Sequence, residues 1–253
     1  MNLTRNQQSL HTKIIRHLRK WHRQLGIFTA IFLIFISISG IALNHTNALS
    51  LAHTSISQPW LLAHYGIKPP EVTRFYQHDF YHTDHYVWFN NELLVETDYP
   101  VIALTTYQKY LVVVTQRALF IFTEQGEMVD KLTASLGLPN NIRHIAKQGS
   151  HLVLQANDGY FQSSGELFDW QSVQFIISPE FVTPIDVEND VIKEAQTRYQ
   201  AQFLSWERVI LDAHSGRIFG DWGVLFMDLI AIMLILLSIS GLYIWLRYQR
   251  KKR

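Results

Sequence analysis

The 253-residue chain contains no cysteine, which excludes disulfides, thiolate metal sites and a covalently attached c-type haem. It also lacks a nucleophile elbow, a phosphate-binding loop, an HExxH helix and a flavin-attachment motif, so hydrolase and kinase chemistry has nothing to stand on. Acidic residues are absent from both ends. The first 24 positions carry Arg5, Lys13, Arg16, Arg19, Lys20 and Arg23, and the last seven carry Arg247, Arg250, Lys251, Lys252 and Arg253. These are 11 of the 22 basic residues, so the stretch between them holds 11 basic residues against all 21 acidic ones, a balance of −10.

What is present is apolar residue in bulk, 48% of the chain, and its distribution decides the class. Leu25 to Leu43 and Gly223 to Leu246 are two apolar runs, each long enough to cross a hydrocarbon core of roughly 30 Å, which takes about 20 helical residues. Lys and Arg beside membrane helices stay on the cytoplasmic side, so both termini are expected inside and the acidic middle outside. Trp21, Trp245, Tyr243 and Tyr248 fall where the spans should meet the inner interface, and Trp222 marks the outer one. The first run exceeds the 7–15 apolar residues typical of a cleaved signal core, so it is read as an anchor. The basic ends lie next to the spans with no recognition motif; their expected partner is the lipid bilayer, not nucleic acid.

The intervening domain reads as strands. Tyr86–Phe89, Leu93–Glu96, Val101–Thr105, Tyr110–Thr115, Ala118–Thr123, His151–Gln155 and Gly159–Gln162 are short runs of Val, Ile, Phe and Tyr separated by turn residues. Tyr110-Leu-Val-Val-Val, Ala118-Leu-Phe-Ile-Phe and Gln125-Gly126-Glu127 are echoed about 40 residues later by His151-Leu-Val-Leu-Gln, Gly159-Tyr-Phe-Gln and Ser164-Gly165-Glu166, a weak repeat of propeller-blade period. Closure takes at least about four blades and this domain supplies two or three. Blade-like meanders in a partly open assembly are expected, an irregular β-sandwich being the alternative. Val191 to Trp206 reads as a helix, Arg208–Asp212 as a strand, and Asp212 to Gly220 as a turn between extended pieces. The fold class is thus membrane α+β, two antiparallel transmembrane helices flanking a β-rich periplasmic domain. The expected boundaries are a basic cytoplasmic segment at 1–24, a first span at 25–45, the outer domain at 46–221, a second span at 222–246 and a basic tail at 247–253.

Trp21-His22-Arg23-Gln-Leu-Gly26 and Ser39-Gly40-Ile-Ala-Leu-Asn44-His45 open and close the first span. Leu211-Asp212-Ala-His214-Ser-Gly216-Arg-Ile-Phe-Gly220, Asp228-Leu and Ser240-Gly241-Leu-Tyr-Ile-Trp245-Leu-Arg lead into and through the second. Together these resemble the PepSY-associated transmembrane family, over about a third of the chain. The outer domain does not resemble a full PepSY domain; only its closing helix-then-strand is similar to one. The resemblance implies a bacterial inner-membrane protein. Larger relatives are tied to iron acquisition, some as ferric-siderophore reductases that pass electrons across the membrane through haem b. They have more spans than the two found here, so a haem-bearing four-helix bundle implies a homodimer or a partner membrane subunit.

On that reading His22, His45 and His214 are the candidate haem ligands, and Asp228 positions the outer site. His22 and His45 are 23 residues apart, roughly 35 Å along a helix, so they cannot serve one iron. They would occupy sites near opposite faces, with His214 on the same side as His45. The alternatives are an interfacial His22, a His45 that caps its helix and a His214 held in a turn by Asp212. Asp228 is a costly carboxylate within a span, expected to bond to Asn44, His45 or Thr46. Ser37-Ile-Ser39-Gly40 and Ser238-Ile-Ser240-Gly241 recur in the two spans, suited to close helix contact, another subunit or a flat cofactor. In the outer domain, period-two spacing puts His78, His82 and Asp84 on one strand face; His78, His82 and His85 are candidate ligands for zinc, copper or iron, an exposed polar edge being the alternative. The resulting expectation is a haem-dependent electron-transfer subunit whose outer domain docks a periplasmic protein or ferric complex. A non-enzymatic accessory subunit of a larger membrane complex is the second expectation, and a peptidase-regulating role the third.

Overall fold

The computed structural model describes residues 5–164, 167–175 and 177–252; the Gly165–Glu166 end of the repeat and Arg253 of the basic tail lie outside the described residues. The chain divides into two compact units, residues 1–56 with 204–253, and residues 57–203.

The first unit is helical. α1 (Arg5–Asn44) runs unbroken for 40 residues and α5 (Gly220–Lys252) for 33, so the basic N-terminal segment continues the membrane helix rather than trailing from it. Within them Arg16–Asn44 and Arg217–Gln249 are long and apolar enough to cross a membrane. The two helices pack antiparallel. Gly26 faces Leu237, the rings of Phe32 and Phe226 meet edge-on at 5.2 Å, and Thr29 and Ile230 are buried. Outward faces carry Ile27, Ile31, Ile34, Leu229, Ile232 and Ile235, the arrangement expected of helices solvated by lipid.

Between the outer domain and α5 lies α4 (Trp206–Ser215), where a strand was expected. The correction has a local cause. Ser205 Oγ accepts the backbone N–H of Arg208 as an N-cap, and Gly216 closes the helix in the left-handed region at φ 81°. Val209-Ile-Leu211 is too short a run for its periodicity to separate strand from helix. The supposed turn from Asp212 to Gly220 is likewise the end of α4, a single 3₁₀ turn (Arg217–Phe219) and the start of α5. Gly216 and Gly223 touch backbone to backbone there: a Cβ on either would overlap the carbonyl of the other.

The second unit opens with α2 (Pro59–His64), whose Leu61 and Leu62 are buried. It contains three four-stranded sheets, each an antiparallel meander of consecutive strands. The first holds β1 (Thr73–Phe75), β2 (Phe80–Thr83), β3 (Tyr86–Phe89) and β4 (Glu92–Glu96). The second holds β5 (Val101–Tyr107), β6 (Tyr110–Thr115), β7 (Ala118–Thr123) and β8 (Met128–Thr133). The third holds β9 (His144–Gln148), β10 (His151–Ala156), β11 (Gly159–Ser163) and β12 (Trp170–Val173). The repeat seen in the sequence equates β6 and β7 with β10 and β11, the two inner strands of successive blades. β6 and β7 are buried almost throughout, which is why they read as continuous apolar runs instead of alternating ones. Val112, Val114, Leu119, Ile121, Ile145 and Leu152 form the heart of the core.

α3 (Asn189–Ala201) lays Ala195 and Tyr199 on a second cluster made by Phe75, Tyr81 and Trp88. The Phe75 and Tyr81 rings stack at 4.6 Å, and the Trp88 indole N–H donates to Thr83 Oγ1 at 2.7 Å. Between β3 and β4, Asn90 and Asn91 take φ of 49° and 67°, the two left-handed positions a tight hairpin needs.

Candidate functional site

The helical unit seats two histidines in the same way, one toward each end of the helix pair. His22 on α1 places Nδ1 2.8 Å from Ser240 Oγ on α5. Ser240 in turn donates to the Leu237 carbonyl at 3.0 Å. A carbonyl only accepts and a hydroxyl has one hydrogen, so both contacts are made together when His22 donates its Nδ1–H. In the neutral ring the lone pair is then on Nε2. Gly241 lies beneath the ring, where a Cβ would stand 3.2 Å from His22 Cε1.

At the other end His214 on α4 places Nδ1 2.7 Å from Ser39 Oγ on α1, and Ser39 donates to the Phe35 carbonyl at 2.8 Å. The same reasoning puts the hydrogen on Nδ1 and the lone pair on Nε2. Gly40 lies under this ring, 3.6 Å from His214 Cε1 to an ideal Cβ. The two Ser-Ile-Ser-Gly tetrads therefore cover neither each other nor a bare helix face: each receives an imidazole from elsewhere in the chain. From His22 to Ser39 is 17 residues of continuous helix, roughly 26 Å.

A shallow cleft of about 410 Å³ opens beside His22, lined also by Arg19, Gly241, Ile244, Trp245 and Tyr248. Its walls are apolar and aromatic, with one guanidinium at the rim.

The other predicted residues are placed differently. His45 is exposed in the turn after α1, and its backbone N–H bonds to the Ile41 and Ala42 carbonyls at the helix end. Asp212 is buried and takes the Arg208 guanidinium at 2.8 Å, and the His214 Nδ1 goes to Ser39. Asp228 is exposed on α5, and among the described residues no hydrogen bond or ion pair reaches it. The expected anchors lie elsewhere: Thr46 Oγ1 donates to the Leu43 carbonyl.

In the outer domain β2 is only four residues long, so the expected face of His78, His82 and Asp84 does not form. His78 and His85 are exposed beyond its two ends, and Asp84 turns the chain at φ 50° while accepting the Glu71 and Val72 backbone N–H groups. Among the described residues no three His, Asp or Glu side chains converge as a metal site. His82 is buried. Its Nδ1–H donates to the Asp84 carbonyl at 3.0 Å and its Nε2 has no partner among the described residues. Burial pushes its pKa down from 6.5 to about 4, with the Asp84 carbonyl opposing and the nearby Arg74 charge assisting.

Ser39, Ser240, Gly40 and Gly241 are the residues whose role the sequence left open. The signal was there in the duplicated tetrad, but the partner of each copy is set by helix register across 175 and 218 residues.

Two long apolar helices, bracketing in sequence a domain of three β-meanders, with a pinned histidine seated toward each end of the pair, define a membrane protein of α+β class. The chain belongs to the PepSY-associated TM region family, whose model matches residues 4–248. No curated protein matches it. Among solved structures it is similar to the WD40 domain of Neurospora crassa Pan2 at 12% identity and a TM-score of 0.30, over 47% of this chain and 41% of that one. It is similar also to the N-terminal domain of Nup159 at 13% identity and a TM-score of 0.26, over 47% of this chain and 31% of that one. A fragment of HIRA aligns at 11% identity and a TM-score of 0.24, over 70% of this chain and 61% of that one. The chain thus spans less than two thirds of each, and overlaps this loose bear on neither ligand nor partner.

Proposed function

We propose that this protein is a haem-binding electron-transfer subunit of the bacterial inner membrane, serving redox or iron (ferric-siderophore) metabolism. Its termini are cytoplasmic and its β-domain periplasmic. The observation that carries this reading is the pair of imidazoles, each fixed through Nδ1 by a serine and each left with Nε2 as a lone pair. That is the donor state an imidazole needs to hold haem iron, with the serine as the supporting hydrogen-bond partner.

The donor set fits the group. The cleft beside His22 has apolar and aromatic walls, Gly241 leaves its floor low, and Arg19 offers a cation to an anionic substituent. His22 and His214 would hold haem b at sites toward the inner and outer faces. So bound, haem b supplies reversible one-electron transfer, and two sites at opposite faces suit passage across a bilayer. Each chain would give one imidazole per site. Ser240 and Ser39 hold the ring planes and tautomers, and the glycines let each ring lie against the neighbouring helix. His45 and Asp228 stand outside these two seats.

A reduced-minus-oxidised spectrum of the protein purified in mild detergent from haem-replete cells tests the reading. An α-band lost in the His22→Ala, His214→Ala double variant is expected. Full expression with no α-band would refute it and leave the accessory-subunit reading.

A further inference from the structure

The outer domain holds a cavity that neither histidine seat uses. It lies on the second sheet, where β7 and β8 pair Ala118 with Thr133 and Phe120 with Lys131, so these four side chains share one face. Tyr99, in the segment leading into β5, and Ser135, in the 3₁₀ turn that follows β8, stand at its sides. Its volume is about 320 Å³, room for roughly ten groups the size of a water molecule.

Two cations stand in this cavity, and ring faces hold both. The Arg117 guanidinium lies 4.9 Å from the centroid of the Tyr99 ring and donates to Tyr99 Oη at 3.2 Å. Among the described residues no carboxylate reaches it. Lys131 Nζ stands 4.9 Å from the centroid of the buried Phe120 ring and meets Asp98 Oδ2 at 3.5 Å, with the aspartate side chain 78% exposed. An ion pair so long and so well solvated contributes little. A ring face positions a cation without cancelling its charge, so both remain available to an anion. Thr133 and Ser135 share one hydrogen bond at 2.8 Å, which leaves the second hydroxyl hydrogen of the pair to donate.

These features select the ligand. Arg117, Lys131 and Asp98 sum to +1, which a single carboxylate balances; a phosphate monoester, at about −1.5 to −2, would press its excess charge on Asp98. The guanidinium edge that Tyr99 leaves open matches two carboxylate oxygens. Ala118, Phe120 and the Tyr99 ring supply apolar wall for the rest of the molecule, and the volume suits one aromatic ring on a short acid chain. We propose that this cavity binds a small aromatic monocarboxylate, with Arg117 as partner of the carboxylate, Lys131 as the supporting cation and the ring toward Ala118 and Phe120. The outer domain thereby has a ligand-binding activity of its own, independent of the haem reading because it shares no residue with either histidine seat.

Full-length protein in nanodiscs, titrated with para-fluorophenylacetate and followed by fluorine NMR of the ligand, tests this. Saturable binding with a Kd of about 1 mM or tighter is expected. Arg117→Ala should weaken it about tenfold or more, the weight of a hydrogen bond between charged groups. Asp98→Asn removes a like charge and releases Lys131, so it should tighten binding by about fivefold, a gain that damaged folding cannot produce. The uncharged para-fluorophenylacetamide should bind at least about tenfold more weakly than the acid. No saturation by about 10 mM, equal binding of acid and amide, Arg117→Ala binding as wild type, or Asp98→Asn binding more weakly overturns the proposal. Tighter binding of para-fluorophenyl phosphate than of the carboxylate also overturns it, in favour of a phosphate site.

Discussion

Replacing His82 with glutamine should flatten the acid limb of the first sheet's stability. The imidazole is 2% exposed, stacked near Tyr76 with ring centroids 6.2 Å apart, and paired across the strands with Arg74. Burial, more than the adjacent Arg74 charge, lowers its pKa from 6.5 to about 4, against the pull of the Asp84 carbonyl. Above pH 6.5 both folded and unfolded chains hold it neutral. Between 6.5 and about 4 the unfolded chain takes up a proton that the folded chain refuses, so stability falls as pH falls, and below about 4 the loss levels off. One pKa unit is worth about 1.4 kcal/mol, and the separation from 6.5 to about 4 is therefore worth about 3 kcal/mol. Hydrogen exchange of the β2 and β3 amides, measured on the full-length protein in detergent from pH 7.5 to 4, reads the effect locally. Wild type should lose protection through that window, whereas His82→Gln, which keeps a donor for the Asp84 carbonyl and cannot titrate, should stay nearly level. Equal pH dependence in the two proteins would refute the assignment.

Three further substitutions, one of them with a control, probe the other contacts. Ser240→Ala removes the acceptor of the His22 Nδ1–H while leaving the ring its space, and should weaken haem retention by about 10- to 100-fold, read by titration of the apoprotein; unchanged affinity would count against the serine as its orienting partner. Gly216→Ala combines a φ of 81° with an overlap onto the Gly223 carbonyl, so it should cost about 3 kcal/mol or more and appear as a large fall in thermal midpoint, whereas Gly149→Ala, with φ 58° but open space, should cost about 1 kcal/mol. Thr83→Val strips the buried Trp88 indole N–H of its acceptor without changing volume, and should destabilise the first sheet by about 1–3 kcal/mol in urea unfolding followed by Trp fluorescence.

The parts legible in the sequence were those written in local pattern. All seven strands read from apolar runs are present: β3, β6, β7, β10 and β11 are inner strands, and the edge strands β4 and β5 carry such runs as well. β8 and β9 carry Asp130, Lys131 and Lys147 and so show no apolar run that would mark them as strands. β2 was hidden in a histidine-rich stretch that invited a metal reading, although its middle histidine is buried in the sheet. α4 reads equally as a strand because five residues of mixed apolar character fit either period, and only its Ser205 and Gly216 caps separate the two. Of the four residues proposed for haem, His22 and His214 acquire matching seats, while His45 and Asp228 stand apart from them.

Composition and periodicity alone determined that this chain has two membrane-crossing helices, basic ends and a blade-like β-domain between them, since hydropathy, charge and strand length are properties of neighbouring residues. Tertiary structure decided which serine meets which histidine, and hence where each Nδ1 hydrogen and Nε2 lone pair lie. Those contacts join residues 175 and 218 positions apart, and they depend on how far one helix slides along another, a quantity no local pattern encodes.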